Sequence, residues 1–97
     1  MNINFAESAI IDLENIKAYY QEQLVPHIGE KFVIDILAHI ETLPTNPEIG
    51  RLVPEFNTTH IRELIHAPYR VVYTLDSSTI QIIRIWRSER LLILKAN

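Results

Sequence analysis

The sequence predicts an α+β domain, and two periodicities carry that reading. Through the first half, apolar residues recur at spacings of three and four, as one face of a helix requires; from residue 61 the period changes to two, that of a strand. Between the two regimes, "PTNPEIGRLVPEF" holds three prolines and a glycine, marking residues 44–57 as an irregular crossing loop. The resulting fold is an N-terminal strand, an antiparallel helical hairpin, and a three- to four-stranded antiparallel sheet under it. At 97 residues the chain is expected to be a single domain, 1–97.

"NINF" alternates polar and apolar residues and suits a short first strand. Asn4 followed by Glu7 fits a capping box, so a helix is expected to begin near residue 5. Ala9, Leu13, Ile16, Tyr20 and Leu24 form its apolar stripe, to about Gln23. Val25-Pro26 breaks the helix, because proline pushes the preceding residue out of the helical region yet tolerates the first turn of a new one. Gly29 weakens the start of that second helix. Phe32, Ile36, Ile40 and Leu43 share its buried face until Pro44. Beyond the loop, residues 61–65, 69–75 and "TIQIIRIW" read as three strands of a meander, the last two separated by the turn "DSS".

An apolar fraction of 47% with 22% charged residues suits a globular chain and argues against disorder. Without cysteine the sequence can form neither disulfides nor thiolate zinc sites. The N-terminus lacks the basic start and apolar stretch of a secretory leader, and no segment approaches the roughly 20 apolar residues of a membrane span. A cytoplasmic location with no membrane association is expected.

The net charge of −3 hides opposed halves. Residues 1–50 carry eight acids against two lysines, a balance of −6, whereas residues 51–97 carry seven bases against four acids, a balance of +3. Such a division suits either an anionic partner or internal neutralisation. His27, His39, His60 and His66 show no metal-ligand spacing, and no glycine-rich phosphate loop or nucleophile elbow is present, so neither a metal nor a cofactor is expected.

The arginines carry the strongest pattern. Arg62, Arg70, Arg84, Arg87 and Arg90 thread three adjacent apolar segments and outnumber Glu63, Asp76 and Glu89. Taken alone, Arg70 fits a cross-strand pair with Glu63. The surplus must face solvent or an anionic partner, because an unpaired buried guanidinium is very costly. The cluster could clamp a phosphate during RNA cleavage or recognise an acidic protein segment. For the former, His60 and His66 are the acid and base candidates.

In order and spacing, "AIIDLENIKAYY", "LPTNPEIGRLVPEF", "IRELIHAPYRVVYTL" and "IIRIWRSERLL" resemble the RelE/ParE family of toxins from bacterial type II toxin–antitoxin operons, also called plasmid stabilisation proteins. The most specific elements are "IREL" followed by "YRVVY", and the closing arginine of "RSER". The resemblance implies the fold reached above and a growth-arresting toxin in a hetero-oligomer with a cognate antitoxin, whose C-terminal segment wraps it. It places Arg62, Arg70, Arg84, Arg87 and Arg90 as target- or antitoxin-binding residues, with Arg70, Arg87 and Arg90 foremost for the antitoxin.

Two branches of the family differ in target. In the branch that cleaves mRNA on the ribosome, Arg70, Arg87 and Arg90 would be catalytic. Its members usually add lysines on the strand before Arg70, where this chain reads Ile61, Arg62, Glu63, and often a late aromatic, where this chain reads Leu91 to Leu94. Arg87 stands where many relatives carry histidine. The long helical pair is more similar to the ParE branch, which poisons DNA gyrase, and that target is favoured, without catalysis by the toxin itself. A third alternative is an inactive relative retained as an interaction module.

Overall fold

The computed structural model describes residues 1–56 and 58–87. Its five-stranded sheet is built from β1 (Asn2–Phe5), β2 (Arg51–Leu52), β3 (Ile61–His66), β4 (Tyr69–Leu75) and β5 (Thr79–Arg87), in the spatial order β1-β5-β4-β3-β2. Two helices, α1 (Glu7–Glu22) and α2 (Pro26–Ile40), pack as an antiparallel hairpin over one face.

The sheet differs from the expected three- to four-stranded antiparallel one in two respects. β1 runs parallel to β5, with Asn2 opposite Thr79 and Phe5 opposite Ile82. β1 occupies one edge and β2 the other, so the helical hairpin carries the chain across the sheet to β2, and β3 and β4 bring it back before β5 pairs with β1 in parallel. β2 lies within the crossing loop, pairing Arg51 with Glu63 and Leu52 with Arg62. Two residues are too few to show a period.

The capping box does not form. Asn4 is committed to β1 opposite Gln81, and the N-cap of α1 is Ala6, in extended backbone with no side-chain cap. The helix is instead fastened to the sheet: the Ser8 hydroxyl donates to the Ile83 carbonyl at 2.6 Å. Of the predicted stripe, Ala9 and Ile16 are buried and Leu13 and Tyr20 pack against the core. Leu24 leaves it. Its φ of 64° is the left-handed turn that reverses the chain between the helices, and its side chain is 86% exposed.

Pro26 opens α2 at the first turn, with Val25 non-helical as expected. Gly29 serves close packing: a Cβ there would meet the Tyr20 Cβ at 3.0 Å and the Ile16 carbonyl at 3.3 Å. α2 ends at Ile40, short of Pro44, because the chain tightens into i→i−3 turns, with Thr42 N–H bonded to His39 O and Leu43 N–H to Ile40 O.

The core under the helices contains Ile36, Ile40, Leu43, Leu64, Val71, Tyr73, Ile80, Ile82 and Ile85. A β-bulge between β4 and β5 pairs Val72 with Arg84 but Tyr73 with Ile82, leaving Ile83 as the extra residue. It lets Ile82 and Ile85, three apart, both reach that core. The opposite pleat of β3 and β4 carries Glu63, Arg70 and Val72, all buried. Among the described residues no helix is long and apolar enough to cross a membrane. Arg90 and the apolar C-terminal segment lie outside the described residues.

Candidate functional site

The β3–β4 register places Arg70 opposite Ile65, making Glu63 its diagonal neighbour on the same face. Arg70 Nη1 donates to Glu63 Oε2 at 2.7 Å, and Nη2 donates to Glu55 Oε2 at 2.8 Å. The second Glu63 oxygen accepts from Arg51 Nε at 2.6 Å. Two arginines and two carboxylates thus alternate across the face, bringing the loop residue Glu55 over β4. The centre is dry, with the Arg70 side chain 4% exposed and that of Glu63 at 0%. Its ends, Arg51 and Glu55, reach water at 60% and 43%. Trp86 lies opposite Arg70 on β5, and its ring stands 5.1 Å from the Arg70 guanidinium carbon and 4.9 Å from that of Arg84.

Arg84 is held by Asp12 through a two-pronged bond, Nε to Oδ2 at 2.8 Å and Nη2 to Oδ1 at 3.1 Å. The same carboxylate accepts the Ile85 backbone N–H at 2.8 Å. β1 ends opposite Ile82, so among the described residues β5 beyond it has no strand partner on that side, and α1 caps this stretch with Ser8 and Asp12. The bond to Asp12 raises the Arg84 pKa further above its ordinary value. Arg62 turns to the crossing loop, donating from Nη1 to the Gly50 carbonyl at 2.9 Å and the Glu48 carbonyl at 3.4 Å.

Arg87 lies by two aromatic rings, its guanidinium carbon 5.5 Å from the Tyr69 centroid and 6.0 Å from that of Tyr19. Burial, then the hydroxyl of Tyr20, push the Tyr69 phenol up to about 12. An open cleft of about 330 Å³ runs between α1 and the end of the sheet, with Asn15, Tyr19, Tyr69, Arg84, Trp86 and Arg87 on its walls. It combines aromatic surface with guanidinium groups at a sheet margin. The fold therefore separates the predicted arginines: Arg62 and Arg70 turn inward, whereas Arg84 and Arg87 line a cleft.

The histidines do not join this site. His39 on α2 and His66 at the end of β3 meet each other, Nδ1 to Nδ1 at 2.9 Å. Burial, then the charge of His66, lower the His39 pKa from 6.5. As pH falls below 6.5 the unfolded chain takes up this proton before the folded one, so stability is lost between 6.5 and the lower folded-state value and is constant below it. Urea unfolding is expected to show this loss as the pH falls below 6.5, and His39→Gln is expected to flatten it. Among the described residues no group of three or more His, Cys, Asp or Glu could hold a metal ion.

Asp12, Glu55 and Trp86 escaped the sequence reading. Asp12 lies three residues after Ala9 and four before Ile16, so helical spacing alone places an acid beside the buried stripe, where it must find a cation. Trp86 stands between Arg84 and Arg87 with alternation that aims it to Arg70's side of the sheet. Glu55 carries no comparable pattern, because its position follows from the loop path.

Comparison with curated protein sequences gives no match. Among solved structures, a chain of the chromosomal ParDE TA system from P. aeruginosa is similar, with 26% identity and a TM-score of 0.75, over 90% of this chain and 95% of that one. The YoeB dimer from Staphylococcus aureus gives 25% identity and 0.63, over 89% and 94%. At 12% identity, the RelB–RelE antitoxin–toxin complex from Methanococcus jannaschii shares the fold, with a TM-score of 0.52 over 94% and 96%. The model of the ParE toxin of the type II toxin–antitoxin system parDE matches residues 3–92, and with the sheet, hairpin and buried arginine already described, this chain belongs to that toxin family.

Proposed function

We propose that this toxin arrests growth by acting on DNA gyrase, and that a cognate antitoxin neutralises it. The observation that carries the choice of target is the burial of Arg70. An arginine that stabilises charge during RNA cleavage must present its donors to the phosphate, whereas Arg70 directs Nη1 and Nη2 at Glu63 and Glu55. Nor does the fold bring His60 and His66 to it as an acid and base pair, since His66 is engaged by His39. A binding toxin needs neither device. The match to the ParE toxin model supports the same reading.

In this reading Arg70, Arg62 and Arg84 hold the framework. The antitoxin contact falls to Arg87, with Tyr19 and Trp86 beside it, and to Arg90 of the C-terminal segment. The cleft suits an acidic strand or helix carrying aromatic or aliphatic side chains, which arginine and aromatic walls can desolvate together. Arg87→Glu is expected to weaken antitoxin binding by about tenfold or more, on the order of 1.4 kcal/mol, by calorimetric titration. Unchanged affinity would remove Arg87 from the interface.

The target is tested by assaying purified toxin for gyrase supercoiling and for ribosome-dependent mRNA cleavage in parallel. Loss of supercoiling with intact mRNA is expected. Cleaved mRNA with normal supercoiling would transfer the function to the ribosome, and growth unaffected by expression would indicate an inactive relative.

A further inference from the structure

We propose that His39 and His66 form a two-histidine site for a divalent transition metal, zinc, nickel or copper, which clasps α2 to β3. Metal–imidazole bonds of about 2.0–2.1 Å set two ligand nitrogens about 2.9 Å apart at a right angle and about 3.4 Å apart in a tetrahedron. The two Nδ1 atoms stand at 2.9 Å. That separation is within the span of one ion, and the rings, tilted 58° to each other, would turn their Nδ1 lone pairs from each other toward a common point to share it.

One residue is fixed on a helix and the other at the end of a strand, 27 positions apart, which is why no spacing in the sequence discloses the pair. Without an ion, a single proton between the two nitrogens holds them as N–H···N. A metal takes the shared position as that proton moves to Nε2 of the same ring, so both rings act as neutral donors through Nδ1. Both side chains are half-buried, so water has access to complete the coordination shell. Imidazole donors favour zinc, nickel and copper over magnesium or calcium. The clasp joins the elements at either end of the crossing loop, Ile40 and Ile61, so the ion would fix the segment that carries Glu55 and Gly50.

The test is thermal unfolding of the untagged full chain with zinc, nickel, copper or magnesium, each followed by chelator. The Tm is expected to rise by about 4 °C or more with zinc or copper, to return on chelation, and not to respond to magnesium. His39→Gln and His66→Gln should each abolish the rise, while His27→Gln and His60→Gln retain it. No rise in the parent chain, or an equal rise in His39→Gln, would overturn the proposal. If the His39 or His66 variants do not fold, nitrogen NMR of the parent decides: zinc should move the Nδ1 resonances of both residues, and unmoved resonances would overturn it.

Discussion

Glu63→Ala is expected to lower the unfolding free energy by about 3–5 kcal/mol, a large share of the roughly 5–15 kcal/mol that holds such a domain together. The Glu63 side chain is fully buried and serves two arginines, but only Arg70 suffers from its loss. Arg51 is 60% exposed and recovers water, whereas Arg70, at 4%, keeps one carboxylate, Glu55, in place of two. The buried guanidinium then lacks the partner on its dry side. Replacing the pair together removes the liability, because a buried ion pair contributes little net stability against apolar residues of similar volume. Urea denaturation should therefore find Glu63→Leu/Arg70→Met well above Glu63→Ala. Equal destabilisation of the two would mean that Glu63 acts through packing and not through charge.

Gly50→Ala is expected to cost about 2–4 kcal/mol. A Cβ at this position would lie 2.5 Å from the Tyr73 hydroxyl, 2.8 Å from the Tyr73 ring and 2.8 Å from the Glu63 backbone carbonyl. The ring is wholly buried and the carbonyl belongs to β3, so neither can yield cheaply. The loop must lift instead. Lifting breaks a relay in which the Gly50 N–H donates to the Tyr73 hydroxyl at 3.1 Å and that hydroxyl donates to the Pro47 carbonyl at 2.7 Å. Burial raises the Tyr73 pKa and keeps the phenol a donor. Tyr73→Phe removes the relay without the clash and is expected to cost less, about 1–3 kcal/mol. If Gly50→Ala proved as stable as the parent chain in urea, the loop would have room that its packing denies.

The two helices, their break at Val25-Pro26 and the three long strands were legible because each has a period repeated over enough residues to stand above chance. β2 and the parallel placement of β1 were not. A two-residue strand has no period, and parallel pairing depends on where the hairpin deposits the chain. Leu24 shows the limit of a spacing rule, since it falls on the helical stripe but sits where the backbone must turn left-handed. At the site, the pairing of Arg70 with Glu63 follows from strand alternation, and the fold adds what alternation cannot supply: a third charge from the loop at Glu55 and a fourth from β2 at Arg51. Counting acids near the arginines in sequence overstated the surplus, because Asp12, 72 residues away from Arg84, neutralises it.

In the proposed function Arg70 builds the domain and performs no chemistry. The most direct test is gyrase supercoiling in the presence of purified Glu63→Leu/Arg70→Met toxin, once its fold is verified by circular dichroism. The folded variant is expected still to inhibit gyrase to within a few-fold of the parent. A variant that is folded yet inert, together with a parent that cuts ribosome-bound mRNA, would contradict it and make Arg70 a catalytic group.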